Sequence, residues 1–253
     1  MKLLRFSSQD QSEWGILDGD RVLVGNGCPY QGTLQPTGQT VPLRDIQLLP
    51  PATPSKIVCI GSNYRKHCLE MGRSVPDTPK LFLKPPSALI GSGQHIQLPP
   101  SVGRVDFEGE LAVVVGRRAT RIPPDAVSEY LLGFTILNDV TARELQRKDV
   151  QFTRAKGFDT FCPVGPWIVP GIESGDLRIQ THVNNALRQN SSTADMVFSV
   201  DHLVSFISHV MTLEPGDIIS TGTPSGVGPL QPGDTVAITI EKIGTLENVV
   251  EGA

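Results

Sequence analysis

Two glutamates separated by one residue, Glu108-Gly109-Glu110, are the part of this 253-residue chain with the plainest chemical potential. On a strand, residues two apart share a face, so both carboxylates project together. Ala112 and Val114 continue that face, while Phe107, Leu111, Val113 and Val115 line the other, which reads as a strand buried on both sides. Two carboxylates at the edge of a core repel each other and lose hydration, so something must compensate them. A divalent cation with oxygen ligands would do so; the alternative is an exposed strand end with two solvated glutamates. Asp139 adds a third carboxylate, after the apolar run 133–137 and just before a helix signal. A Glu, Glu, Asp set suits Mg2+, Mn2+ or Ca2+ and not zinc, which prefers His and Cys. Asp139 equally fits a turn residue or a helix cap.

A second group lies upstream. His67 and Glu70 stand three apart on a short helical segment and therefore on one face. A carboxylate beside an imidazole orients the ring, the usual arrangement for a general base; the same spacing also suits a solvated pair on an exposed face. Arg143 and Gln146, again three apart, could bind an anion. Lys156 has no local feature that separates it from a surface lysine.

These residues need strands and short helices to hold them. The spacing predicts strands at 56–60, 81–83, 106–116, 133–137, 165–169, 177–183, 217–221 and 235–241. Helices are expected from a Ser62 or Asn63 cap to about Met71, with Gly72 as the stop, and over 200–211, where Leu203, Phe206, Ile207 and Val210 fall at helical spacing. Thr141-Ala142-Arg143-Glu144 fits a capping box, so a helix should run from Thr141 to about Asp149. Leu213-Glu214-Pro215-Gly216-Asp217 recurs as Leu230-Gln231-Pro232-Gly233-Asp234, each a turn feeding a strand. Ahead of all this, short apolar runs with a hairpin turn at Asp18-Gly19-Asp20 form a small β domain over residues 1–50, with 26–42 read as irregular connection. The proline-rich segment 49–54 marks the boundary, and residues 51–253 form the main domain. The fold class is α+β and strand-dominated.

Composition narrows the function. With 22 Lys+Arg against 26 Asp+Glu, the net charge of −4 gives no electrostatic case for nucleic acid or an anionic membrane surface. No stretch approaches the roughly 20 apolar residues of a membrane helix, and the first residues do not read as a signal peptide. Cys28, Cys59, Cys68 and Cys162 are irregularly spaced and read as reduced thiols in a cytoplasmic protein. The nucleophile elbow GxSxG and the phosphate loop GxxxxGK[ST] are absent, and Gly91-Ser92-Gly93 lacks the third glycine of a dinucleotide fingerprint. His202 and His209 fall on the polar side of their helix, and His95 and His182 have no evident partner.

Taken in order, Gly61-x-Asn63-Tyr64-x-x-His67-x-x-Glu70, Leu81-Phe82-Leu83-Lys84-Pro85, Glu108-x-Glu110-Leu111, Asn138-Asp139-x-Thr141-Ala142-Arg143, Ala155-Lys156-x-Phe158-Asp159 and Thr221-Gly222-Thr223-Pro224-x-Gly226-Val227-Gly228 resemble the fumarylacetoacetate hydrolase family. The resemblance spans about residues 55–240, and the first 50 residues look like the small domain that precedes the catalytic domain in many bacterial members. It implies a mixed β-sandwich roll, usually a homodimer. Glu108, Glu110 and Asp139 would then hold a catalytic Mg2+ or Mn2+. His67 and Glu70 would sit on a lid helix as a dyad, and Lys156, Arg143, Gln146 and Thr223 would contact the 2-oxo-carboxylate end of a small substrate. The implied reactions are hydrolysis of acylpyruvate-type C–C bonds or decarboxylation of oxaloacetate through a metal-stabilised enolate. Alternatives are isomerisation of 2-hydroxyhepta-2,4-diene-1,7-dioate-type substrates, or a non-catalytic binding domain of the same fold. One departure concerns specificity: Ser62 stands where many acylpyruvate-cleaving relatives have a long basic side chain.

Overall fold

A computed structural model describes residues 1–8 and 11–252. Its largest sheet runs in the order Gln35–Pro42, Arg21–Asn26, Gln11–Asp18, Leu3–Ser8, Cys162–Val169, Leu131–Asn138, Gly109–Val115, Ile218–Ser220, Ile57–Gly61, Lys80–Lys84. Ile57–Gly61 pairs parallel to Ile218–Ser220 and most other neighbours pair antiparallel, so the sheet is mixed. A second sheet has the order Ala186–Ser192, Arg178–Val183, Thr235–Ile240, Gly244–Gly252, Ile96–Leu98. Alternation along Gly109–Val115 puts Leu111, Val113 and Val115 in one core cluster with Ile179, Val236, Ile238, Ile240 and Leu246 of the second sheet. Ala112 and Val114 face the other way, onto Ile57, Cys59, Leu137, Val164 and Ile218. The result is the strand-dominated sandwich expected from the sequence, with a strand buried on both faces at its centre.

The helix Val200–Val210 closes one side of the first core with Val200, Leu203, Val204 and Ile207, and Ser199 caps it by accepting from the His202 amide. Val210, assigned to its apolar face, is 59% exposed. His202 and His209 are exposed, as their side of the helix predicts. The two Pro-Gly turns are built alike: Asp217 accepts from the Glu214 amide, and Asp234 from the Gln231 amide. Cys59, Cys68 and Cys162 are buried free thiols and Cys28 is half-buried. Burial pushes the Cys162 thiol up to about 12, which suits packing and not nucleophilic attack.

Several local expectations are overturned by tertiary contacts. Residues 35–42 are not an irregular connection; they form an outer strand on Arg21–Asn26, held by Arg21 Nη2 donating to Thr40 Oγ1 at 2.6 Å. Proline and glycine hide such a strand in the sequence, yet a sheet edge tolerates them. The first helix, Arg65–Glu70, has neither Ser62 nor Asn63 as cap; Tyr64 precedes it. The Asn63 side chain instead accepts from the Phe198 amide and donates to the Phe198 and Thr221 carbonyls. Thr141 does not cap the next helix, Arg143–Asp149, because Thr141-Ala142 is paired as a short strand with Val105–Phe107. The 106–116 strand is two strands, Val105–Phe107 and Gly109–Val115, broken at Glu108.

Candidate active site

The break at Glu108 is what brings three carboxylates together. Val105–Phe107 stands outside the large sheet, in a small one with Thr141-Ala142 and Gly228-Pro229, and the chain enters the large sheet at Gly109. The Glu108 amide donates to Asn138 Oδ1 at 2.9 Å, and the Asp139 amide donates to the Glu108 carbonyl at 2.9 Å. Two strand ends are thereby stitched side by side. Gly109 has no room for a side chain: a Cβ there would lie 2.5 Å from Thr181 Oγ1. One ligand oxygen each from Glu108, Glu110 and Asp139 lies within 4.8 Å of the others, and all three residues are buried.

Cations converge on the trio. Arg143 donates to Glu108 Oε1 at 2.6 Å, to Asp106 Oδ2 at 2.8 Å and to Gln146 Oε1 at 3.0 Å. Lys156 Nζ donates to Glu108 Oε2 at 2.9 Å, to Asp139 Oδ2 and to Thr141 Oγ1, and Lys84 Nζ donates to Asp139 Oδ1 at 2.6 Å. Burial alone would raise the Glu108 carboxyl, but Lys156 and Arg143 outweigh it and hold it far below the usual carboxylate range. Burial likewise opposes the Lys156 ammonium, while Asp139 and Glu108 keep it charged. Glu110 differs. Its Oε2 accepts from Ser220 Oγ and from the Gly222 amide, but among the described residues no basic side chain pairs with it. Burial, reinforced by Asp139 and Glu108, pushes its carboxyl well above the ordinary value. A buried, all-oxygen trio with one member lacking a counter-charge fits a hard divalent cation.

Over this floor sits Arg65–Glu70. His67 Nδ1 lies 3.0 Å from Glu70 Oε2, and Glu70 Oε1 accepts from the Gly226 amide at 2.9 Å. Of the nine residues expected to act as metal ligands, dyad or substrate contacts, all but Glu70 line one pocket, and Glu70 stands behind His67. Thr223 is fixed there by donating to the Gly109 carbonyl and accepting from Gln189 Nε2, at 2.9 and 2.8 Å. Ile60, Phe82 and Phe152 supply apolar wall.

Three buried side chains were missed as site residues. Lys84, 1% exposed, reads in sequence as the polar end of a strand before two prolines. Asp106 reads as a strand residue, yet it locks the Arg143 guanidinium. Gln189 joins the two sheets at the site by accepting from the Gly109 amide at 3.1 Å and from Thr181 Oγ1 at 2.7 Å. Lys84 alone carried a signal, as part of a family-like run.

Residues 56–251 match the fumarylacetoacetate (FAA) hydrolase C-terminal domain. The chain belongs to that family. Residues 1–51 match the Rv2993c-like N-terminal domain. Among relatives, protein Rv2993c of Mycobacterium tuberculosis is 50% identical over 99% of this chain and 98% of its own length. Oxaloacetate tautomerase YisK of Bacillus subtilis is 46% identical over 78% of this chain and 70% of its own. Among solved structures, 2-hydroxyhepta-2,4-diene-1,7-dioate isomerase from Mycobacterium marinum superposes with a TM-score of 0.93 at 45% identity, covering 100% of this chain and 98% of that one. Maleylpyruvate hydrolase from Sphingobium sp. SYK-6, in complex with manganese(II) ion and pyruvate, superposes at 0.84 with 30% identity over the whole of both chains. The family is one of enzymes acting on small molecules, and no helix among the described residues is long and apolar enough to cross a membrane.

Proposed function

We propose that this chain is a Mg2+- or Mn2+-dependent enzyme that processes 2-oxo acids through their enol forms. The observation that carries this reading is the buried trio Glu108, Glu110 and Asp139, opening into the pocket that also holds His67, Arg143, Gln146, Lys156 and Thr223. A divalent ion bound by the trio would polarise the 2-oxo group, raising the acidity of the adjacent carbon.

The chain's own residues supply the rest. Lys156 sets positive charge beside the carboxylates, where an enol oxygen would gain negative charge. Arg143, its guanidinium fixed in orientation by Asp106 and Gln146, keeps positive charge facing a substrate carboxylate, and Thr223 offers a fixed hydroxyl. Glu70 fixes the His67 ring so that the imidazole can move a proton, either at the carbon next to the carbonyl or on an attacking water. The helix with residues 71–80 acts as a lid that excludes water once substrate is bound.

Hydrolysis of acylpyruvates, decarboxylation of oxaloacetate and keto–enol isomerisation share these requirements. We place isomerisation first, because YisK and the Mycobacterium marinum isomerase are more identical to this chain than the hydrolase is. The reading extends to a cytoplasmic homodimer with a domain boundary near residue 50. A thermal-shift series with Mn2+ and oxalate tests the core of it, since a ligand that binds only the folded state raises apparent stability. Stabilisation by Mn2+, increased by oxalate, is expected; no response to either would favour a non-catalytic member of the fold. A substrate panel with the Mn2+-loaded enzyme then separates the three reactions.

A further inference from the structure

The basic side chains on the pocket floor are already committed: Arg143 and Lys156 are both bound to carboxylates. Arg73 also lines the pocket, and it is different. It is exposed, and among the described residues no carboxylate comes within ion-pairing distance of its guanidinium. Its place is set by backbone. The chain leaves Arg65–Glu70 through Gly72, whose φ of +64° lies in the left-handed region, and the Arg73 amide then donates to the Cys68 carbonyl at 2.8 Å. This turn folds residue 73 back toward the pocket. The nearby Glu70 carboxylate does not capture it, because one oxygen lies against His67 and the other accepts from Gly226. Ser62 faces the same pocket with a small side chain and no charge, on backbone at φ +64°.

We propose that Arg73 recognises the second carboxylate of dicarboxylic 2-oxo acids, so that this enzyme selects four- or five-carbon diacids, or longer ones, over acids with an uncharged tail. The inference rests on the reading that the trio and a divalent ion hold the 2-oxo-carboxylate end. With that end at the carboxylate floor, the far end of the substrate meets the lid and the Ile60, Phe82 and Phe152 wall. Arg73 is the one pocket cation there without a partner among the described residues. An uncompensated guanidinium with a planar donor fork matches a carboxylate better than a hydroxyl or methyl group. Its exposure makes the interaction modest and sensitive to salt.

The test is binding to the Mn2+-loaded full chain by calorimetry, with paired probes of equal length. 2-Oxoglutarate is compared with 2-oxopentanoate, and 2-oxoadipate with 2-oxohexanoate. The wild type should prefer the diacid in at least one pair. Arg73→Ala should lower that diacid-to-monoacid affinity ratio about tenfold. Arg73→Lys should recover part of it, and raising NaCl from about 50 to about 500 mM should shrink it. A ratio unchanged by Arg73→Ala, with the monoacids still binding, overturns the role of Arg73 and leaves the 2-oxo acid reading intact. Failure of oxalate and of both monoacids to bind overturns the reading itself, and this inference with it.

Discussion

Each carboxylate of the pocket floor is gripped by two partners from buried elements, whereas the six-residue helix that roofs it is tied at its ends and buries only His67 and Cys68 between them. Glu108 takes Arg143 and Lys156, Asp139 takes Lys84 and Lys156, and Glu110 takes Ser220 and the Gly222 amide. The roof has a bridge between Tyr64 and Met196 at one end and the Glu70–Gly226 contact at the other, with Leu69 76% exposed between them. A helix this short has no stability of its own. On the proposed reading the contrast teaches a division of labour: the carboxylates that would meet an ion stand in a strand or just beyond a strand end, and the group that would admit and release substrate stands on something that can let go.

The largest expected effect lies on the floor. Glu110→Ala should reduce turnover to background and weaken Mn2+ binding by more than about 100-fold, read by titration with paramagnetic detection. Unchanged Mn2+ affinity would break the assignment of the trio. On the roof, His67→Ala should cut turnover by about 10²–10⁴-fold while Mn2+ affinity stays nearly constant. If both quantities fell together, floor and roof would not be separable units.

Stability should divide the same way. Asp217 immediately precedes Ile218–Ser220, the strand that brings Ser220 to Glu110, and it is fully buried. It accepts from the Ser55, Lys56 and Glu214 amides and from the Ser55 and Lys56 side chains. Asp217→Ala should therefore cost about 3 kcal/mol in chemical denaturation. Burial would raise the Asp217 carboxyl, but the Glu214 amide with Lys56 and Ser55 outweighs it and holds it below the ordinary value. Its contribution is thus complete above the unfolded aspartate pKa and is lost as pH falls through the lower folded value. Asp217→Asn should flatten that acid limb, and a stability–pH curve that superposes on the wild type would contradict the assignment. The smallest effect belongs to the segment after the roof helix: proteolysis within 72–78 should slow a few-fold when Mn2+ and oxalate are added. Equal cleavage with and without them would remove the case for a closing lid.

How legible this was depended on whether local pattern or distant contact decided each position. The trio was legible mainly through the ordered family-like motifs, because strand alternation left a solvated strand end equally open and the strand it assumed breaks at Glu108. Lys84 was not legible as a site residue, since a lysine before Pro85 and Pro86 looks like a strand ending in solvent, and only the folded chain brings it to Asp139. The Glu70–Gly226 contact joins residues 156 apart in sequence, with nothing local to pair one with the other. Thr141 shows the opposite failure. Its capping pattern is real, but pairing with Asp106, together with hydroxyl contacts to Asp139 and Lys156, leaves no hydroxyl for a cap.

The first fifty residues have a practical bearing on any attempt to shorten the chain. Leu3 pairs with Ile168, and its side chain packs with Val164 and Ile168 in the core behind Glu110. Cutting at the proline-rich segment would strip this cover from Cys162–Val169 and leave an apolar strand edge open to another molecule. A trimmed chain could keep every side chain of its pocket and still be lost from solution as aggregate, unless a charged or proline residue were placed on that edge.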